Sequence, residues 1–140
     1  MPDLAKLRRE HAQLLEIIGR VSVVIAESRP SAAANLHALR NELTSALIRH
    51  LKGEDWVLYP RLLASPDASV QRTARTFNDE MGGLAHAYNA YAHKWTATSI
   101  GADWAGYCED TRAIIEALTQ RINREDRELY PLVRSVEKAA

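Results

Sequence analysis

The residues most able to do chemistry in this chain are histidine and glutamate at helical spacing. In His50-Leu51-Lys52-Gly53-Glu54-Asp55-Trp56-Val57-Leu58-Tyr59-Pro60 an imidazole precedes a carboxylate by four residues. On a helix both side chains then leave one face, one turn apart, and aim at a common point. A neutral imidazole and an ionised carboxylate aimed at one point are donors for a first-row transition metal. A second stretch, Arg121-Ile122-Asn123-Arg124-Glu125-Asp126-Arg127-Glu128-Leu129-Tyr130-Pro131, repeats the latter half of the first. Glu125 matches Glu54, Asp126 matches Asp55, and Leu-Tyr-Pro follows in both. One position breaks the repeat: Arg121 stands where the first copy has His50, and a guanidinium stays protonated and cannot coordinate.

The elements that must position these groups are long amphipathic helices. Leu4, Leu7, His11, Leu14, Ile18, Val21 and Ile25 keep one face over a first helix at 3–27, with His11 its only polar member. Ser28 or Ser31, with Pro30, marks the turn and cap into a second helix at 32–59, whose inner line is Leu36, Leu39, Leu43, Leu47, His50, Glu54 and Leu58. Gly53 in that helix either admits a close neighbour or is simply tolerated. Pro60 is expected to bend or end the helix. Ser65 and Pro66 read as the start of a third helix with Val70, Phe77, Glu80, Leu84, Ala87, Tyr91 and Trp95 inside, loosened at Gly82-Gly83. Residues 96–101 form a polar connection, with Ser99 or Asp103 capping a fourth helix that extends to about Arg127. Trp104, Tyr107, Thr111, Ile114, Leu118, Arg121, Glu125 and Leu129 form its inner line, and a short helical tail follows Pro131. Four such patterns with short connections and no strand-like alternation predict an all-α, up-down-up-down four-helix bundle in a single domain, 1–140. His37, His86 and His93 fall off the inner lines and read as surface histidines.

Composition narrows the function classes. An apolar fraction of 46% with 18 basic and 18 acidic residues describes a neutral globular chain with no bulk attraction to phosphate, which argues against nucleic-acid binding. The N-terminal residues lack the apolar core of a signal peptide, and no apolar run approaches the ~20 residues of a membrane span. A cytoplasmic protein without membrane association is expected. The single cysteine, Cys108, can form neither an internal disulfide nor a thiolate metal site by itself, and reads as a small packed residue.

Each helix thus carries a ligand-type residue on an otherwise apolar face: His11, then His50 with Glu54, then Glu80, then Glu125. Inward carboxylates cost several kcal/mol unless they meet cations, protons or water. Two arrangements satisfy them. One is a metal held by two imidazoles and three carboxylates; the other is an internal ion-pair network in which Arg121 and two imidazolium ions balance the three glutamates. Tyr59 and Tyr130 read as helix-end packing residues whose hydroxyls reach water.

His11, His50-x-x-x-Glu54 and the Glu125-Asp126-x-x-Leu-Tyr-Pro ending together resemble the hemerythrin-like, or HHE cation-binding, domains, over nearly the whole chain. The resemblance implies a four-helix bundle holding a non-haem di-iron centre used for oxygen binding, storage, sensing, or iron and redox handling. Its helix-four histidine falls on Arg121 here, and its helix-three histidine pair on Glu80 and Leu84. The surviving set is His11, His50, Glu54, Glu80 and Glu125, poor in nitrogen, which disfavours reversible oxygen carriage. The cofactor expected is iron, as one or two ions, with manganese or zinc as alternatives. A small diatomic or peroxide is the expected ligand. One divalent ion with the three carboxylates and Arg121 is neutral, which favours a mononuclear site or a dinuclear one rich in bridging oxygen. A metal-free interaction or regulatory module and an oxygen-activating enzyme are the competing readings.

Overall fold

The computed structural model describes residues 3–30 and 33–139, and every regular element among them is helical. Helix α1 (Leu4–Ile25) begins where the Asp3 carboxylate accepts the Lys6 amide and buries Leu7, His11, Leu14, Ile17, Ile18, Val21 and Ile25. The expected cap at Ser31 lies outside the described residues. Helix α2 (Ala33–Gly53) does not end near Pro60. It passes into a π-helical turn (Glu54–Leu58) and continues as α3 (Tyr59–Leu63).

The π turn explains how the helix survives a proline. The Tyr59 amide donates to the Glu54 carbonyl, five residues back, so the turn holds one extra residue where the Pro60 ring would otherwise meet the preceding turn. The last long helix repeats the device. Helix α7 (Trp104–Arg124) leads into a second π turn (Glu125–Leu129) and α8 (Tyr130–Ala139), with the Tyr130 amide on the Glu125 carbonyl just before Pro131. The tail after Pro131 is therefore a continuation of the helix, and it buries Tyr130 and Val133. Gly53 precedes the first π turn, and a Cβ there would meet Leu7 at an ordinary 3.9 Å, so the glycine is tolerated and no close approach requires it.

The third helix is two helices. Asp67 caps α4 (Ala68–Met81) by accepting the Ser69 and Val70 amides, so it starts slightly later than the Ser65-Pro66 reading. Gly82 and Gly83 interrupt the chain before α5 (Leu84–Lys94). A side chain at Gly82 would collide with the Asn78 carbonyl. The buried stripe runs Val70, Ala74 and Phe77 in α4 and Leu84, Tyr88 and Tyr91 in α5, with Tyr88 in place of the expected Ala87, which is exposed. A short helix, α6 (Ala97–Ala102), closed by reciprocal Thr96 and Ser99 bonds, replaces the expected polar connection. Asp103 caps α7 through the Gly106 amide.

Helix α1 packs on α2 and α7, α5 on α7, and α3 and α8 on α4, completing an up-down-up-down four-helix bundle. Its core is divided. One apolar cluster gathers residues from Leu14 through Ile25, Leu36 through Leu51, Leu84 through Trp95, and Tyr107 through Ile122. The other gathers Leu7, Leu58, Tyr59, Leu62, Val70, Ala74, Phe77, Leu129, Tyr130 and Val133. Between them along the chain lie His11, Glu54, the Gly82-Gly83 break and Glu125, so a polar layer crosses the bundle between two apolar ones. His37, His86 and His93 are exposed, as their helical phase predicts, and Cys108 is buried, its thiol pKa pushed up by burial. No described helix is long and apolar enough to cross a membrane.

Candidate metal centre

The polar layer brings His11, His50, Glu54 and Glu125 together, all buried, with one donor atom from each lying within 4.8 Å of the others. Helix α1 supplies the first, the end of α2 and its π turn the next two, and the second π turn the last. The outer sides of these groups are held. His50 donates Nδ1–H to Glu10 at 2.7 Å and His11 donates Nδ1–H to Asp126 at 2.8 Å. Both rings thereby turn Nε2 inward.

The carboxylates are held in a crossed pair. Tyr59, following the first π turn, donates to Glu125 Oε2 at 2.7 Å, and Tyr130, following the second, donates to Glu54 Oε2 at 2.7 Å. Each glutamate keeps its other oxygen for the interior. Glu54 Oε1 lies 2.5 Å from His50 Nε2 and 3.9 Å from His11 Nε2, and Glu125 Oε1 lies 3.2 Å from His11 Nε2. Close as they are, His50 Nε2, Glu54 Oε1 and Glu125 Oε1 lack hydrogen-bond geometry and are buried without a hydrogen-bond partner. Orphaned buried donors of this kind are costly, and their convergence fits a cation.

Electrostatics show how strongly the layer asks for positive charge. Burial alone would depress the His11 pKa, but Glu125, Glu54 and Asp126 outweigh it and raise it to about 10. His50 is raised likewise by Glu54 and Glu10 against burial. Burial pushes Glu54 up, yet the two histidines and Arg121 pull it well below the usual carboxylate range. Glu125 goes the other way, lifted to about 7 by burial and by the Glu54 charge. The shifts of His11, His50 and Glu125 favour positive charge on the histidines and fewer negative charges on the carboxylates, on top of the charge Arg121 supplies.

Two expectations from the sequence are corrected. Glu80 lies outside the cluster: its side chain is 53% exposed and pairs with Arg124. The inner line that placed it inside assumed one unbroken helix, whereas the α4 stripe steps from Phe77 to the half-buried Met81, leaving Glu80 on the flank toward α7. Tyr59 and Tyr130 do not reach water. Both are buried, and burial together with the neighbouring carboxylate charges raises their pKa values, so they remain hydroxyl donors. The repeated Leu-Tyr-Pro was the signal that could have found them, since two tyrosines at matched positions after two inward glutamates imply matched partners. Glu10 and Asp126, each adjacent in sequence to a cluster residue, complete what the helical patterns alone missed.

Arg121 is the remaining member of the layer. Its Nε donates to Glu125 Oε2 at 3.2 Å, Nη2 to Asp55 at 2.6 Å, and Nη1 to the Met81 carbonyl at 3.4 Å, beside the helix break. Nη2 also lies 3.8 Å from Glu54 Oε1, and the guanidinium covers the Tyr59 ring at 5.3 Å.

Curated proteins and solved structures provide no match to this chain. A family model, however, matches residues 3–133, from the α1 cap into α8, and its description, hemerythrin HHE cation binding domain, agrees with the buried His/Glu cluster. The chain belongs to the hemerythrin HHE cation-binding domain family.

Proposed function

We propose that the protein is a non-haem iron protein, with His11, His50, Glu54 and Glu125 as ligands, serving to sense or handle oxygen, nitric oxide, peroxide or iron itself. The observation that carries this reading is the inward convergence of His50 Nε2, Glu54 Oε1 and Glu125 Oε1, buried without hydrogen-bond partners, while their outer atoms are occupied. Two imidazoles and two carboxylates suit iron, with manganese and zinc as alternatives. A bound iron would supply redox chemistry and an electrophilic centre for a small ligand. Glu10 and Asp126 orient the imidazoles, Tyr59 and Tyr130 fix the carboxylates, and the flanking apolar clusters exclude bulk water.

Elemental analysis of protein purified without added metal tests the reading, alongside His50→Ala and Glu54→Ala. Iron in the parent and its loss in both variants is expected. The competing reading, a metal-free interaction or regulatory module, draws on the Arg121 pairs with Asp55 and Glu125, which neutralise part of the layer without an ion. Parent protein that stays metal-free after iron, manganese and zinc are each supplied would move that reading ahead.

A further inference from the structure

The geometry points to a site for one divalent ion, with the Arg121 guanidinium standing where a second would have to lie. This rests on the proposed metal-binding reading and specifies its nuclearity. The two halves of the chain are matched through Glu54 and Glu125, and the match assigns Arg121 to the place of His50. In space that substitution puts a fixed cation against both carboxylates, 3.2 Å from Glu125 Oε2 and 3.8 Å from Glu54 Oε1. Both imidazoles approach the Oε1 atoms, whereas Arg121 meets Glu125 through Oε2 and borders Glu54 Oε1, so nitrogen donors come only from α1 and α2 and the guanidinium bounds the donor set on the α7 side.

Three further features close the arginine side to a metal. The guanidinium is only 2% exposed and is anchored by Asp55 and the Met81 carbonyl, so it cannot swing out to make room. The third rod offers no side-chain ligand at this level, because Gly82 and Gly83 occupy the break and Glu80 is turned to Arg124. Among the innermost groups, Glu54 and Glu125 balance one divalent ion and Asp55 balances Arg121, and a second ion would stand directly against the guanidinium charge.

Nuclearity can be read without any assay of activity. Metal-stripped protein is titrated anaerobically with Mn(II), bound metal is counted by elemental analysis, and the spectrum is followed by electron paramagnetic resonance. One ion per chain with an uncoupled Mn(II) signal is expected. Two ions per chain, or an exchange-coupled signal, overturns the inference and leaves the metal-binding reading standing, whereas a chain that binds neither Mn(II) nor, in the same titration, Fe(II) or Zn(II) overturns both. Arg121→His removes the cation and frees Glu125 Oε2 and Asp55 beside a new imidazole, so it should take up a second ion. Arg121→Lys keeps the charge and should stay at one. A folded Arg121→His protein that still holds one ion would show that Arg121 is not what excludes the second. If that variant does not fold, the parent and Arg121→Lys still decide, since two ions in either overturns the inference.

Discussion

The turn that starts at Glu54 and the turn that starts at Glu125 share a sequence, a π-helical backbone and a hydrogen-bonded tyrosine, yet they present different chemistry to the centre of the bundle. In the first, the residue one helical turn earlier is His50, and the pair offers nitrogen and oxygen to a common point. In the second it is Arg121, and Glu125 has one oxygen drawn to a guanidinium. The acidic residue after each glutamate has diverged in the same way: Asp126 orients the His11 ring, whereas Asp55 neutralises Arg121. The duplicated part, Glu-Asp-x-x-Leu-Tyr-Pro, builds the layer and ties the two halves together. On the proposed reading, the unduplicated part decides whether a half serves a metal or replaces one.

If that division is right, the two halves should respond differently to equivalent damage. In metal-stripped protein, Arg121→Ala leaves Asp55 and Glu125 without their cation and should cost about 3–5 kcal/mol, as for removal of one partner of a buried ion pair. His50→Ala should cost less, because Glu54 keeps Tyr130 and Arg121, and the other carboxylate released, Glu10, is partly exposed where Glu125 is fully buried. Urea unfolding of both variants measures the difference, and equal losses would erase the proposed division of labour.

The next effect concerns pH. Because folded His11 has a pKa of about 10 against 6.5 for the free side chain, its contribution is full below about pH 6.5 and is lost as pH rises through 10, and His50 shifts in the same direction. Glu125, raised to about 7 by burial and by Glu54, loses its contribution earlier, as pH rises from about 4.5 through 7. Glu54, being depressed, gives stability above about pH 4.5 that is lost as pH falls. Metal-stripped protein should therefore unfold more easily at pH 9 than at pH 6. Metal-loaded protein should show the reverse trend from pH 5 to 7, as ligands lose the protons that compete with the ion. Denaturant melts with and without metal check both slopes.

The smallest expected effects are those of the crossed tyrosines. Tyr130→Phe leaves the buried Glu54 Oε2 without a donor and should cost about 1–3 kcal/mol, whereas after Tyr59→Phe the Glu125 Oε2 still accepts from Arg121. Tyr130→Phe should therefore cost the more of the two, and its hydroxyl also lies 3.3 Å from His11 Nε2. Thermal unfolding of the pair would reveal whether the halves are equivalent in structure as they are in sequence.

What could be read from residues alone follows from helical phase. Leu7, His11 and Leu14, or Leu47, His50, Glu54 and Leu58, keep register through one continuous helical face, so the bundle and the four buried ligand-type residues of the polar layer are visible as polar interruptions in apolar lines. Phase fails where the backbone departs from the α-helix. Gly82-Gly83 resets the register, which is why Glu80 falls outside while Tyr88 falls in. The π turns act in the opposite sense. At ~100° per residue, Tyr59 would stand ~140° from Glu54, on the outside, and the extra residue in the turn rotates it inward. Two prolines at matched positions hinted at the distortion, but the crossed hydrogen bonds depend on the three-dimensional pairing of helices distant in sequence.

The complete burial of the four donor residues, none more than 1% exposed, would also set the tempo of exchange. An ion can enter or leave only when the bundle opens locally, so the dwell time of a bound ion is governed by the frequency of those openings. Release into a chelator would then proceed at a rate independent of chelator concentration once every opening is intercepted. If the proposed ion binds there, the protein would keep a memory of past metal supply and track its present level only after a delay.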